Sequence, residues 1–397
     1  MERLNSEYTN LLPDTITFNI VMKALANCGM SSAANRANLL LQRMEDSYHN
    51  GNTRLKPDLL SYNTVLDAFS KEGDAKSAER LLSRMITTAD VDIKPDAHSY
   101  TSVLTAWGRS SNKVKAVRRA EDLFNIEIEG RYANGRSDFR ANTSCYNALI
   151  NVWSKSNERK ALYRVTQLLE TMEELGFQGG DSEVQPNSRT YTTVLDTLAK
   201  SKNYKAYDMS LEILQRMEHF YSEGYSVRPC TRAYTIVLST IARSRRRDKA
   251  TKAFELLHKM EREYKAGNVS CRPNVISYNS VLNAAAFSSK DCEQGEQEEA
   301  FKVACLTFDE LRMSDYLQPT HISYGTFLKA IKNLMPKSDV RDNLVQGLFR
   351  KASMEGLVSD FVLKEMRDLA TPDLYHNILK GHTNDFGILP KSWSANV

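Results

Sequence analysis

The chain has 397 residues, 41% hydrophobic and 26% charged, with a formal net charge of +4, which permits an anionic partner without demanding one. Gly and Pro, at about 4% and 3% of the chain, fall below the usual values of about 7% and 5%, which excludes collagen-like and disordered classes and argues for helices. No apolar stretch approaches the roughly 18 residues a membrane helix needs, so no membrane partner is expected. The six cysteines, Cys28, Cys145, Cys230, Cys271, Cys292 and Cys305, lie far apart without a C-x-x-C pair. That spacing suits neither a zinc knuckle nor a small disulfide framework, and it reads as a reducing compartment.

From residue 13 onward the string Pro-polar-x-x-x-Tyr-Asn/Thr-x-x-Leu keeps returning, as in PDLLSYNTVL from Pro57 and PNVISYNSVL from Pro273. Eight copies begin at Pro13, Pro57, Pro95, Ala141, Pro186, Pro229, Pro273 and Pro319, with steps of 44, 38, 46, 45, 43, 44 and 46 residues. Such regularity marks a stack of supersecondary units. Within a copy, Tyr62, Val65, Leu66 and Phe69 fall at helical spacing behind the break at Pro57-Asp58, which predicts helix A. Downstream, Ala78, Leu81, Leu82 and Met85 form the apolar face of helix B, repeated at Ala37–Met44, Val165–Met172 and Ala253–Met260. One helix pair cannot bury both faces, so the Tyr and Met stripes are read as a continuous core.

The units are long. Tyr62 to Met85 spans 23 positions, but Phe18 to Met44, Tyr146 to Met172, Tyr191 to Met217 and Tyr234 to Met260 each span 26, placing three added residues at the A–B turn. MEDSY, MEHFY and MEREY, at Met44, Met217 and Met260, add about one helical turn at the end of helix B. Residues 1–12 read as the end of a preceding helix B, since Met1-Glu2-Arg3 repeats Met260-Glu261-Arg262, and an upstream part is expected. Residues 13–360 are then about eight repeats. The acid-rich Asp291–Glu299 reads as a solvated loop of the seventh. Residues 361–397 read as a degenerate cap and tail, irregular where Pro372, Gly381, Gly387 and Pro390 accumulate, with Phe386, Leu389 and Trp393 covering the last apolar face.

These units lack the W-x-x-L-G-x-x-Y of tetratricopeptide repeats and resemble instead the pentatricopeptide repeat family. That family has Tyr-Asn or Tyr-Thr early in helix A, Ala-x-x-Leu-x-x-x-Met in helix B and a closing Pro-Asp, and Leu59–Asp96 matches it closely. The family unit is 35 residues, shorter than any copy here. The resemblance implies an all-α, right-handed α-solenoid of stacked antiparallel helix pairs that binds single-stranded RNA along helix A. One base per repeat is then read by the residue after the Tyr and the last residue of the unit. This pairs Asn19 with Asp58, Asn63 with Asp96, Thr101 with Asn142, Asn147 with Asn187, Thr192 with Cys230, Thr235 with Asn274, and Asn279 with Thr320. Under the family's code the preference is U-U-A-C-any-A-pyrimidine, and the eighth unit, with Gly325 and Ser359, reads nothing. The same residue types are also ordinary helix caps and turn formers.

Two further columns follow from counting the residue after Pro-Asp as position one. Position two, which in the family packs between successive bases, is Ile16, Leu60, His98, Ser144, Arg189, Arg232, Ile276 and Ile322. Position thirteen is basic in five of eight units, as Lys71, Arg109, Lys155, Lys200 and Arg243, where overall Lys and Arg content gives about one. That row suits RNA phosphates or, equally, the negative end of the helix dipole. The cluster Arg243, Arg245, Arg246, Arg247, Lys249 reads as RNA contact or a solvated turn.

No His is followed two residues on by Glu, as a zinc deaminase needs, and the P-loop and nucleophile-elbow strings are missing. The expectation is therefore no catalytic residue, no metal and no cofactor. The family resemblance implies a transcript of mitochondria or plastids, with a role in RNA processing, stability or translation. The competing class is a helical-repeat scaffold for protein partners.

Overall fold

The computed structural model describes residues 12–88, 91–135, 139–201, 203–288, 294–371, 375, 378 and 390–397. Among them every regular element is helical, and the fold is an all-α helical repeat. The chain divides into two compact units, residues 1–197 and 198–397. The first holds α1 (Thr15–Asn27), α2 (Ala33–His49), α3 (Leu59–Glu72), α4 (Ala75–Thr87), α5 (Ala97–Arg109), α6 (Lys113–Asp122), α7 (Thr143–Ser154), α8 (Ala161–Glu173) and all but the last turn of α9 (Ser188–Lys200). The second continues with α10 (Ala206–Ser222), α11 (Thr231–Arg243), α12 (Lys249–Lys265), α13 (Val275–Ala286), α14 (Gln294–Met313), α15 (His321–Leu334), α16 (Asp339–Met354) and α17 (Asp360–Leu369). Odd numbers are A helices and even numbers B helices. Two B helices run on in π-helical form, α6 through Leu123–Gly130 and α8 through Glu174–Gln178.

Six A helices start where a residue turns its side chain onto the free N–H groups of the first turn. Asp14, Asp58, Asp96, Asn142, Asn187 and Asn274 accept from the backbone N–H of Thr17, Ser61, Ser99, Cys145, Thr190 and Ser277, three residues on. Such a cap is worth about 1 kcal/mol. In the first unit α1, α3, α5 and α7 pack in series, as do α11, α13, α15 and α17 in the second, with the B helices filling behind. The Met and Leu stripes are sealed: Met22, Leu41, Met44, Val65, Leu66, Val237, Leu257 and Met260 are all 0% exposed. Each contributes about 1.5–3 kcal/mol by leaving water.

The tightest A–B turn is Gly73-Asp74, where Gly73 takes φ +76° and lies so close to Arg109 that an added Cβ would meet it at 3.2 Å. The turns between α1 and α2, α9 and α10, and α11 and α12 are three residues longer, at 28–32, 201–205 and 244–248. Helices α2, α10 and α12 run past Met44, Met217 and Met260 to His49, Ser222 and Lys265, whereas α4 stops at Thr87, just beyond Met85.

Sequence inspection missed the partner of the Tyr stripe. Four of its phenols donate to the Glu that follows the Met of the preceding helix B: Tyr62 to Glu45 at 2.6 Å, Tyr191 to Glu173 at 2.5 Å, Tyr234 to Glu218 at 2.7 Å and Tyr278 to Glu261 at 2.5 Å. Burial, then the Glu218 charge, pushes the Tyr234 phenol far above its ordinary range, so it stays a donor. Met313 is followed by Ser314 instead, and Tyr324 turns to Glu355 at 2.7 Å. Tyr234→Phe should lower the unfolding free energy by about 2 kcal/mol in urea titrations, because Glu218 loses a buried donor. A change within a few tenths would remove this bond from the account.

One expectation changes and two gain detail. Residues 294–299 open α14 rather than forming a loop, since acidic groups favour a helix N-terminus; residues 289–293 lie outside the described residues. Residues 360–369, where the repeat fades in sequence, form α17 in the place of a ninth helix A, packed on α15. In the tail, Trp393 sets its ring edge against Phe349 at 5.5 Å and its carbonyl accepts from the Val358 N–H at 2.7 Å. Phe386, Leu389 and residues 1–11 lie outside the described residues.

Candidate functional site

In repeats 1–4 and 6, position five of helix A meets the start of the next helix A. Asn19 Nδ2 donates to Asp58 Oδ1 at 3.2 Å, and Asn63 Nδ2 to Asp96 Oδ1 at 3.2 Å. The same Asp58 Oδ1 and Asp96 Oδ1 cap α3 and α5, so one carboxylate oxygen serves both tasks. Burial works against the Asp96 charge, but hydrogen bonds from Ser99 and Asn63 hold its carboxyl below the ordinary range, leaving an acceptor-only anion at neutral pH. A third group was missed: position three. Ser99 Oγ donates to Asn63 Oδ1 at 2.6 Å and Thr190 Oγ1 to Asn147 Oδ1 at 2.7 Å, while Thr235 Oγ1 meets Ser277 Oγ at 3.1 Å and Thr101 Oγ1 meets Cys145 Sγ at 3.5 Å. The signal was the run of Ser, Thr and Cys one residue before the Tyr. Asn142, Asn187 and Asn274 serve as caps, and Thr192 turns back to the Arg189 carbonyl at 3.1 Å. Asn19 Oδ1 and Asn279 Oδ1 are buried acceptors with no partner among the described residues.

One turn before each Asn or Thr, the second position points into water. Ile16 is 66% exposed, Leu60 59%, Ile276 61% and Ile322 46%. His98, Ser144 and Arg232 are exposed as well, and His98 pairs with Asp67 at 3.1 Å. Four large apolar side chains at one place in a repeat, each open to solvent, form no part of the core.

The basic column has a structural task. Lys71 Nζ donates to the Ala26 carbonyl at 3.2 Å and to Asn27 Oδ1 at 2.5 Å; Arg109 Nη1 reaches the Ser70 carbonyl at 2.9 Å and Arg243 Nη1 the Ala199 carbonyl at 3.1 Å. Each cation thus caps the C-terminus of the preceding helix A, not of its own, and Asn333 does the same for Ala286 at 2.7 Å. Lys155 and Lys200 are exposed. One carbonyl leaves a guanidinium or ammonium with further donors toward solvent.

The model of the family described as pentacotripeptide-repeat region of PRORP matches residues 130–271, and the model described as PPR repeat matches residues 53–86. Over those segments the chain carries pentatricopeptide repeats. Among solved structures it is similar to the crystal structure of the pentatricopeptide repeat protein PPR10 from maize, at 18% identity and a TM-score of 0.43. That alignment covers 93% of this chain and 54% of PPR10, so the chain spans about half the length of that relative. No curated protein matches the chain.

The eighth pentatricopeptide repeat departs from the others for a visible reason. Gly325 stands where they carry Asn or Thr, and a Cβ there would meet the Phe361 ring of α17 at 2.3 Å. The ring takes the place of a polar side chain. In the cluster after α11, Arg243, Arg245, Arg246 and Arg247 are exposed. Arg246 pairs with Asp248 at 2.9 Å and Asp208 at 3.2 Å and lies over the Tyr207 ring at 4.9 Å, while Lys249 is 6% exposed with its ammonium on the Ser244 carbonyl at 3.3 Å.

Proposed function

We propose that this pentatricopeptide repeat chain binds single-stranded RNA sequence-selectively, one base per repeat, with the preference U-U-A-C-any-A-pyrimidine. The observation that carries the reading is the exposed apolar column Ile16, Leu60, Ile276 and Ile322, each beside an Asn or the Gly that replaces it. A flat base slides between such side chains, and the adjacent Asn with its Asp or Asn offers fixed donors and acceptors to the base edge. Asn19, Asp58, Asn63, Asp96, Thr101, Asn142, Asn147, Asn187, Thr192, Thr235, Asn274 and Asn279 are the proposed readers, spread over repeats 1–7 within residues 13–360. Lys71, Arg109, Lys155, Lys200 and Arg243 lend their remaining donors to phosphates. The proposed setting is a transcript of mitochondria or plastids, bound by occupancy for its processing, stability or translation.

A U-U-A-C-N-A-Y oligonucleotide should bind at least tenfold more tightly than its scrambled form at 150 mM salt; equal binding sinks the code. Neutralising Lys71, Arg109, Lys155 and Lys200 together should weaken all RNAs alike and flatten the plot of log K against log salt by about 3 units, at about 0.7 for each phosphate that is no longer neutralised. An unchanged slope would leave those cations with the helix-capping role alone.

A further inference from the structure

We infer that the cavity between α4, α5 and α6 is a binding site for a phosphate group. Its volume is about 560 Å³, within the range of small-molecule sites, and larger than one phosphate fills. Lys76 and Arg80 of α4 and Lys115 and Arg119 of α6 line it, against the single carboxylate of Glu79. Part of its wall is Trp107, which is 3% exposed and whose Nε1 has no hydrogen-bond partner among the described residues. An indole N–H only donates, so what the site lacks is an acceptor. Native proteins rarely leave such a group unpaired.

The next repeat supplies the comparison. Trp153 occupies in α7 the place of Trp107 in α5, and its Nε1 donates to Glu121 Oε1 at 2.6 Å. Glu121 in turn holds Arg164. Glu79 and Arg119 are the counterparts of Glu121 and Arg164, each Glu following the Ala of its helix B face. Here, however, Glu79 pairs with Arg119 and leaves Trp107 unanswered. Ammonium and guanidinium groups from two helices line the same cavity as Trp107, and an oxyanion with several acceptor oxygens and up to two charges can join them. The spare volume suits a phosphate ester as well as the free anion. This site does not depend on the base-reading proposal.

The test is to follow the three indole N–H resonances of the full chain by ¹H–¹⁵N NMR while adding sodium phosphate, a nucleoside monophosphate or a short single-stranded oligonucleotide, against sodium chloride at equal ionic strength. A saturable shift of one resonance is expected, which Trp107→Phe removes and Trp153→Phe retains. The double variant Arg80→Gln, Lys115→Gln, at exposed positions that leave the core intact, should weaken it at least tenfold. Saturation by inorganic phosphate alone identifies the free anion, and a response only to the other two identifies an ester. No saturable shift with any of the three, the same shift with chloride, or a shift confined to Trp153 overturns the site.

Discussion

Changing Glu121 to Ala will lower the stability of the first unit by about 2–3 kcal/mol, since it removes the shared acceptor of a part-buried ion pair and indole hydrogen bond. Glu121 and Arg164 are 18% and 28% exposed, and Oε1 of Glu121 accepts from both Trp153 and Arg164 while Oε2 accepts from Arg164 at 3.0 Å and Asn125 at 2.9 Å. The substitution strands the Trp153 N–H and the Arg164 charge together. Glu121→Gln keeps the shape but not the charge, and should fall between. Burial pushes the Glu121 carboxyl up, but hydrogen bonds from Arg164 and Trp153 outweigh it and hold the group below the ordinary value of 4.5. Because the folded value lies below the unfolded one, this stabilisation is full above about pH 4.5 and is lost as pH falls through the folded value. Urea unfolding at pH 7 and near pH 3 checks both parts: the gap between native and Glu121→Ala proteins should narrow in acid. A loss under 1 kcal/mol at pH 7 would mean that Arg164 and Trp153 find other partners.

Asn63→Thr should move the preference at the second base of the tract from uracil toward a purine, changing the ratio of affinities by at least tenfold while the other positions hold. The native Asn63 amide binds the Asp96 carboxylate through Nδ2 and accepts Ser99 through Oδ1, so it is fixed in one orientation. A Thr hydroxyl is shorter and cannot hold both, which releases Asp96 to its cap and offers a different edge to the base. Competition binding with RNAs varied at that one position measures the effect. Equal weakening on all four bases would show that Asn63 matters for packing repeat to repeat and not for reading.

The repeat was legible because its signals are local: Pro-Asp breaks, helical spacing of Tyr62, Val65, Leu66 and Phe69, and the Ala78–Met85 stripe each predict an element from its own residues. What escaped depends on neighbours 16 to 47 positions away. Glu45, Glu173, Glu218 and Glu261 look like solvated helix residues until the Tyr of the next repeat is seen on them. Lys71, Arg109 and Arg243 sit at the end of their own helix but answer the carbonyls of the previous one, which no single-helix argument distinguishes. Helix α17 was hidden because its sequence has lost the Pro-x-x-x-x-Tyr string, although Ser359 still caps it through the Val362 N–H and Phe361 still fills the space over Gly325. One carboxylate oxygen each of Asp58 and Asp96 caps a helix and holds the Asn of the preceding repeat at once, a double task that the single-helix pattern does not show.

The central claim is that this chain reads single-stranded RNA through the Asn and Thr column. Selection from a random single-stranded RNA pool at physiological salt, with the enriched sequences determined, tests it most directly. The account predicts enrichment of a tract resembling U-U-A-C-any-A-pyrimidine, and its loss with a variant carrying Asn19→Ala, Asn63→Ala and Asn279→Ala. Folded, helical protein that enriches no sequence would contradict the claim and assign the exposed Ile16, Leu60, Ile276 and Ile322 column to a protein partner.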